Sequence, residues 1–184
     1  MKNEIVLWLV GIPSSGKTTI AHYLKAQFSL LHYYCVILDG DDIRCSVNRD
    51  LGFSPEDRSE NIRRAAAIAK IISSAGVLTI CSFISPLREM RQIARSIIGD
   101  KLFIEIHVNC ALAVCINRDV KGLYQKAIAG EIDNLTGYNA DFETPLYPFL
   151  VVNTDAETVE ESGNKILQAL SHIIQNRPVS PKDF

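Results

Sequence analysis

Residues 11–19 read GIPSSGKTT and follow the apolar run EIVLWLV. The octet GIPSSGKT fits the spacing G-x-x-x-x-G-K-[ST], with Gly11, Gly16, Lys17 and Thr18 at its fixed positions. A loop of this kind turns backbone N–H groups inward around a polyphosphate, and the start of a following helix adds partial positive charge. Lys17 is expected in an exposed part of that loop, reaching the outer phosphates, while Thr18 ligates Mg²⁺. Ser14, Ser15 and Thr19 complete the nucleotide-binding stretch. A chance match in a chain of this length is on the order of 1%. The loop therefore predicts binding of ATP or GTP.

Three further stretches could act on a held phosphate. LDGDDIR puts Asp39, Asp41, Asp42 and Arg44 where a second strand ends, and open α/β sheets bind ligands at such ends. A carboxylate there can ligand Mg²⁺ or take the proton of an attacking hydroxyl, and an arginine can clamp an anion. A solvated acidic turn is the bland alternative. In GFSPEDRSENIRR, Ser54 and Pro55 start a helix that carries Arg58, Arg63 and Arg64. Their spacing spreads them around the helix, so one can face a ligand while another faces solvent, and spacing alone does not choose. Residues from about 118 to 147, rich in charge, Gly, Pro and Tyr, read as an irregular lid.

These groups need a scaffold, and the hydrophobic pattern supplies one. Strands are predicted near 4–10, 34–38, 77–81, 102–108 and 149–153, and helices near 17–28, 56–75, 87–98, 111–117 and 156–175. VILD, VLTICS and FIEIHV read as apolar on both faces, which a parallel sheet covered on both sides requires. The expected fold is one α/β domain, a parallel sheet flanked by helices on both faces, over residues 1–176 with a frayed tail over 177–184.

Composition limits the partners. Of 184 residues, 47% are apolar and 22% charged, ordinary for a globular domain. Nineteen basic and 21 acidic residues leave a net charge of -2, so nothing sequence-wide favours nucleic acid or a membrane surface. Any phosphate must be held by local charge. No apolar segment is long enough to span a bilayer, and the chain is expected to be cytoplasmic. Five cysteines with no C-x-x-C pair are expected reduced and mostly buried.

Taken together, GIPSSGKTT, LDGDDIR, DLGFSPEDRSENIRR, SFISP with a following Arg91, and RDVKGLYQKAIAGEI with a later TG resemble the adenylylsulfate kinases, in the family's order and over roughly residues 4 to 155. Such enzymes use MgATP to phosphorylate the ribose 3′-hydroxyl of adenosine 5′-phosphosulfate. The resemblance implies Asp41 as catalytic base and Mg²⁺-side carboxylate, Asp39 in support, and Lys17 on the transferred phosphate. It implies that Arg44, Phe53, Arg58 and Asn61 bind the acceptor, Phe53 by stacking on its base, with Ile84 and Ser85 lining the same pocket. Ser85 matches a serine once assigned as a phosphorylated intermediate. In-line transfer needs only positioning, charge neutralisation and a base, so Ser85 is read as shaping the pocket. Arg118, Lys121, Gly122 and Leu123 match the motif that closes over both nucleotides. A P-loop kinase fold and a homodimer are implied as well.

The chain departs from the family at two positions of the acceptor side. Ile128 stands where an arginine is usual, and Leu135 where an aromatic forms the second wall around the acceptor's adenine. Asp42 replaces a common asparagine. A related kinase of bacterial capsule pathways, acting on cytidine diphosphoramidate, is therefore kept as an alternative, as is a non-catalytic nucleotide-binding module.

Overall fold

The run VLWLV offers no polar face, so as a strand it must be covered on both sides. It forms β1 (Val6–Val10), buried throughout, at the centre of a five-stranded sheet. The structure is a computed structural model that describes residues 4–175. β2 (Cys35–Asp39), β3 (Leu78–Phe83), β4 (Phe103–Asn109) and β5 (Leu150–Asn153) join β1 in the order β2-β3-β1-β4-β5, every pair parallel. The order changes direction at β1, which pairs with β3 on one side and β4 on the other. The crevice beyond the carboxyl end of β1 is thus the topological switch point, where such sheets bind ligands.

Seven helices accompany the sheet among the described residues: α1 (Lys17–Leu30), α2 (Gly40–Cys45), α3 (Pro55–Ser74), α4 (Arg88–Ile98), α5 (Leu112–Arg118), α6 (Leu123–Ile128) and α7 (Val159–Gln175). Alternation along the strands divides the core in two. Leu7, Leu9, Ile80 and Ile106 meet Ile20, Leu24 and Phe28 of α1 and Ile166 and Leu170 of α7. Val6, Trp8, Val10, Cys81 and Phe83 meet Ala65, Ala66 and Ala69 of α3 and Met90, Ala94 and Ile98 of α4. Small alanines on α3 let that helix lie close to the sheet, while the Trp8 ring stacks on Phe83 at 5.2 Å between centroids.

Three expectations change. The segment 118–147 is not irregular throughout: it contains α6, and with α5 it packs Cys110, Cys115, Tyr124, Ala127 and Leu135 into a third apolar cluster. FIEIHV is not apolar on both faces. Glu105 and His107 lie on the Phe103 side of β4, both buried, and a buried arginine compensates Glu105. α2 was not expected, because six residues leave no period to read. All five cysteines are free, with Cys81, Cys110 and Cys115 buried. The tail expected to fray, 177–184, lies outside the described residues.

α3 begins as the sequence implies, and this matters because it carries acceptor-side residues. The Ser54 hydroxyl accepts from the Asp57 amide at 3.1 Å, and Pro55 occupies the first helical turn. Ser54→Ala should lower stability to urea by about 1 kcal/mol, and Ser54→Gly by only a few tenths. Equal losses in equilibrium unfolding would mean that the hydroxyl does not cap the helix.

Candidate active site

Between β1 and α1 the backbone must reverse tightly around a ligand. Gly16 sits at φ 94°, a left-handed conformation natural to glycine. A Cβ on Gly11 would lie 2.5 Å from the Val108 carbonyl oxygen and 2.6 Å from Ser15 Oγ, so only glycine fits there. Ser15 is fully buried and turned back behind the loop. Gly11 and Ser15 therefore shape the loop, whereas Ser14, Gly16, Lys17, Thr18 and Thr19 line the cavity in front of it. Two side chains pin the loop from outside: Thr154 Oγ1 donates to the Ser15 carbonyl at 2.8 Å, and the Tyr124 hydroxyl donates to the Pro13 carbonyl at 3.0 Å.

Lys17 is not in an exposed loop. It opens α1, is 8% exposed, and donates to the Gly11 and Ile12 carbonyls at 2.9 and 2.8 Å. The glycine turn that frees the loop also folds it over the lysine stem. Burial lowers the ammonium from its usual 10.5 to about 8, because desolvation penalises the charged form.

At the carboxyl end of β2, Asp39 caps α2 by accepting from the Asp41 amide at 3.0 Å. Its other oxygen accepts from Thr18 Oγ1 at 2.8 Å, and Ser82 Oγ lies 3.3 Å from that hydroxyl. Thr18, Asp39 and Ser82 form a set of hard oxygen donors. This suits Mg²⁺, which keeps several waters and takes one or two carboxylates plus phosphates. Among the described residues no cluster of His, Cys, Asp and Glu could hold a metal alone. The sequence paired Thr18 with Asp41 for this role. In the fold, Asp41 instead turns its carboxylate to Lys121 of the lid. Both partners are more than half exposed, so their pairing is worth under about 1 kcal/mol and does not lock the lid.

The far side of the cavity is cationic around an aromatic ring. Phe53 is exposed, with the Arg44 guanidinium 4.5 Å and the Arg58 guanidinium 5.6 Å from its centroid. Arg44 donates to the Gly52 carbonyl, and Arg58 reaches the lid at Asn134 O (2.8 Å) and Thr136 Oγ1 (3.2 Å). Arg63 and Arg64 pair with Glu60, and Arg64 also with Asp50, so of the three helical arginines Arg58 alone lines the cavity. Asn61, Ile84, Ser85, Lys121, Leu123 and Asp42 line it too. So does Leu135, but it is only 7% exposed and packs mostly in the lid's own cluster. Ile128 is exposed and outside the cavity lining.

Arg118, at the end of α5, donates to Thr154 Oγ1 at 3.2 Å and to its carbonyl. The next residue, Asp119, accepts from the Tyr124 and Gln125 amides in the first turn of α6, whose N-cap is Gly122. Tyr124, Thr154, Ser82 and Asn134 were not singled out from sequence. Tyr124 carried a signal, since it completes the quoted KGLY; the others sit in the site only through tertiary contact.

One cavity of about 1430 Å³ joins these parts, from the phosphate loop to Phe53. A drug-sized ligand occupies about 300–1,000 Å³, so there is room for two nucleotides. A phosphate loop, an acidic turn and a lid on one parallel sheet define a P-loop nucleotide kinase. The sequence model named Adenylylsulphate kinase matches residues 3–153. The chain is 50% identical over 172 residues to an adenylyl-sulfate kinase of Halothermothrix orenii, covering 92% of each. It is 49% identical to that of Phocaeicola vulgatus, over 92% of this chain and 83% of the relative. The structure of Mycobacterium tuberculosis APS kinase CysC in complex with AMPPNP and APS matches with a TM-score of 0.89 at 34% identity, over 93% of this chain and 99% of that one. The chain belongs to the adenylylsulphate kinase family.

The depressed Lys17 makes a thermodynamic prediction. At pH 9 an ammonium lowered to about 8 is mostly neutral, and ATP phosphates favour its charged form. ATP binding at pH 9 should therefore take up close to one proton, and near pH 6.5 Lys17 should contribute none. Calorimetry in two buffers of different ionisation enthalpy measures this, and Lys17→Arg should abolish the uptake. A buffer-independent heat at pH 9 would place Lys17 away from the phosphates.

Proposed function

We propose that this protein transfers the γ-phosphoryl group of MgATP to the ribose 3′-hydroxyl of adenosine 5′-phosphosulfate. The observation that carries the reading is the single cavity, whose wall includes the phosphate loop, Asp41 and the ring of Phe53. ATP lies with its phosphates on residues 14–19 and its remaining surface toward Arg118 and Thr154. The acceptor base stacks on Phe53, its anionic groups meet Arg44 and Arg58, and Asn61, Ile84, Ser85, Leu123 and Leu135 complete its pocket.

In the reaction the 3′-oxygen attacks the γ-phosphorus in line, its proton passes to Asp41, and the bond to the β-phosphate oxygen breaks to release ADP. Lys17 steadies the transferred group, and Asp39 holds the turn that presents Asp41. Thr18 and carboxylates of the acidic turn would hold Mg²⁺, which would supply charge neutralisation for the triphosphate. Lys121 and Arg118 come with the lid, which excludes water that would otherwise accept the phosphoryl group.

We read the enzyme as a single kinase domain, cytoplasmic and homodimeric; no helix among the described residues is long and apolar enough to cross a membrane.

Incubation with MgATP and either adenosine 5′-phosphosulfate or cytidine 5′-diphosphate derivatives tests the assignment, with the phosphorylated position determined by NMR. Phosphorylation at the 3′ position of the adenosine substrate is expected; turnover confined to a cytidine acceptor would overturn it. Asp41→Asn should bind both nucleotides near normally yet turn over at least about a hundredfold more slowly. Unchanged turnover would assign the base to Asp39.

A further inference from the structure

Ser85, in the wall of the acceptor half, has a backbone that serine rarely adopts, at φ 45°. Positive φ in a residue with a Cβ persists only where its surroundings hold it. Two buried side chains hold it here, one at its hydroxyl and one at its carbonyl. The indole Nε1 of Trp8 donates to Ser85 Oγ at 2.9 Å. The Arg91 guanidinium donates to the Ser85 carbonyl at 2.7 Å and to the Pro86 carbonyl at 3.2 Å.

Arg91 does more than fix the turn. Its other terminal nitrogen donates to the Glu143 carbonyl at 2.6 Å, and the Glu143 amide donates to the Pro86 carbonyl at 2.9 Å. The chain that returns from the lid is thus joined to the acceptor wall through one guanidinium. Glu105 of β4 balances that charge, its oxygen 3.0 Å from Arg91 Nε, with both side chains under a tenth exposed. A lysine could match the charge but not the planar fork that reaches three carbonyls at once. The phosphate loop has its own supports in Thr154 and Tyr124, whereas the side-chain hydrogen bonds of Trp8 and Arg91 go to Ser85, Pro86 and Glu143.

We infer that Trp8 and Arg91 are positioning residues of the acceptor site: together they set the left-handed turn at Ser85, and Arg91 ties that turn to the base of the lid. The inference rests on the placement of the acceptor beside Phe53 and Ser85. It assigns the acceptor's affinity, and not that of ATP, to two residues that touch neither substrate.

The test compares Arg91→Lys and Trp8→Phe with the wild-type enzyme, measuring KM for adenosine 5′-phosphosulfate, KM for ATP, kcat and Tm. Trp8→Phe keeps a ring against Phe83 and Phe103 and removes the donor together with part of the buried indole, so Tm is read beside KM to separate lost packing from lost positioning. Arg91→Lys should raise the acceptor KM about tenfold and Trp8→Phe about threefold, with the ATP KM changed by less than about twofold in both. In the Trp8→Phe background, Ser85→Ala should add little, because the two changes remove the same hydrogen bond.

Wild-type enzyme that does not phosphorylate this acceptor would refute the functional reading itself. With wild-type turnover in place, equal rises in both KM values, or unchanged acceptor KM in Trp8→Phe, would overturn the positioning role. So would full additivity of Trp8→Phe and Ser85→Ala. Should Arg91→Lys not fold, Trp8→Phe and the double variant still decide.

Discussion

Two polyanions must share one cavity, and the rest of the structure answers to that constraint. The chain carries a net charge of -2, so attraction has to be local. Lys17, Arg44, Arg58, Arg118 and Lys121 all line the same cavity, which opens at the carboxyl end of the parallel sheet. The start of α1 adds its dipole. The carboxylates of Asp39 and Asp41 stand inside this cationic ring. They would be misplaced in a pure phosphate receptor, but a phosphoryl transfer needs a metal-side ligand and a proton acceptor between its two substrates.

Holding cations ready for phosphate costs the fold something, most visibly at Lys17. Its ammonium is buried against carbonyls and has its pKa lowered, so the folded chain keeps a charged group where charge is disfavoured. Phosphate binding relieves that penalty, and a site destabilised in this way is expected where function and not stability sets the residue. The lid follows the same logic. Its apolar cluster gives it a firm base, while its contact with the acidic turn is the exposed Lys121–Asp41 pair.

The parts that were legible in the sequence have local causes. Glycine spacing marks the phosphate loop, Ser54 and Pro55 mark the start of α3, and continuous apolar runs mark β1 and β3, because turn, cap and strand chemistry lie within a few residues. What was not legible depends on distant neighbours. The depth of Lys17 and the polar stripe of Glu105 and His107 are set by packing against other elements, and helical spacing alone did not separate Arg58 from Arg63 and Arg64, which the family resemblance did. Trp8 reads as ordinary core until Ser85 is placed beside its N–H, 77 residues later. α6 escaped because six residues among Gly and charge show no period, although Asp119, which accepts from its first-turn amides, lies in the quoted RDVKGLY motif.

The central claim is that ATP and acceptor meet in one cavity and that the phosphoryl group crosses between them in a single step. Ser85 is poorly placed for a covalent step, being 1% exposed with its hydroxyl held by Trp8. The most direct measurement is the stereochemical course of transfer from ATP made chiral at the γ-phosphorus with oxygen isotopes. A single in-line displacement predicts inversion of configuration in the phosphorylated acceptor. Retention would require two displacements through a phosphorylated enzyme and would contradict this account.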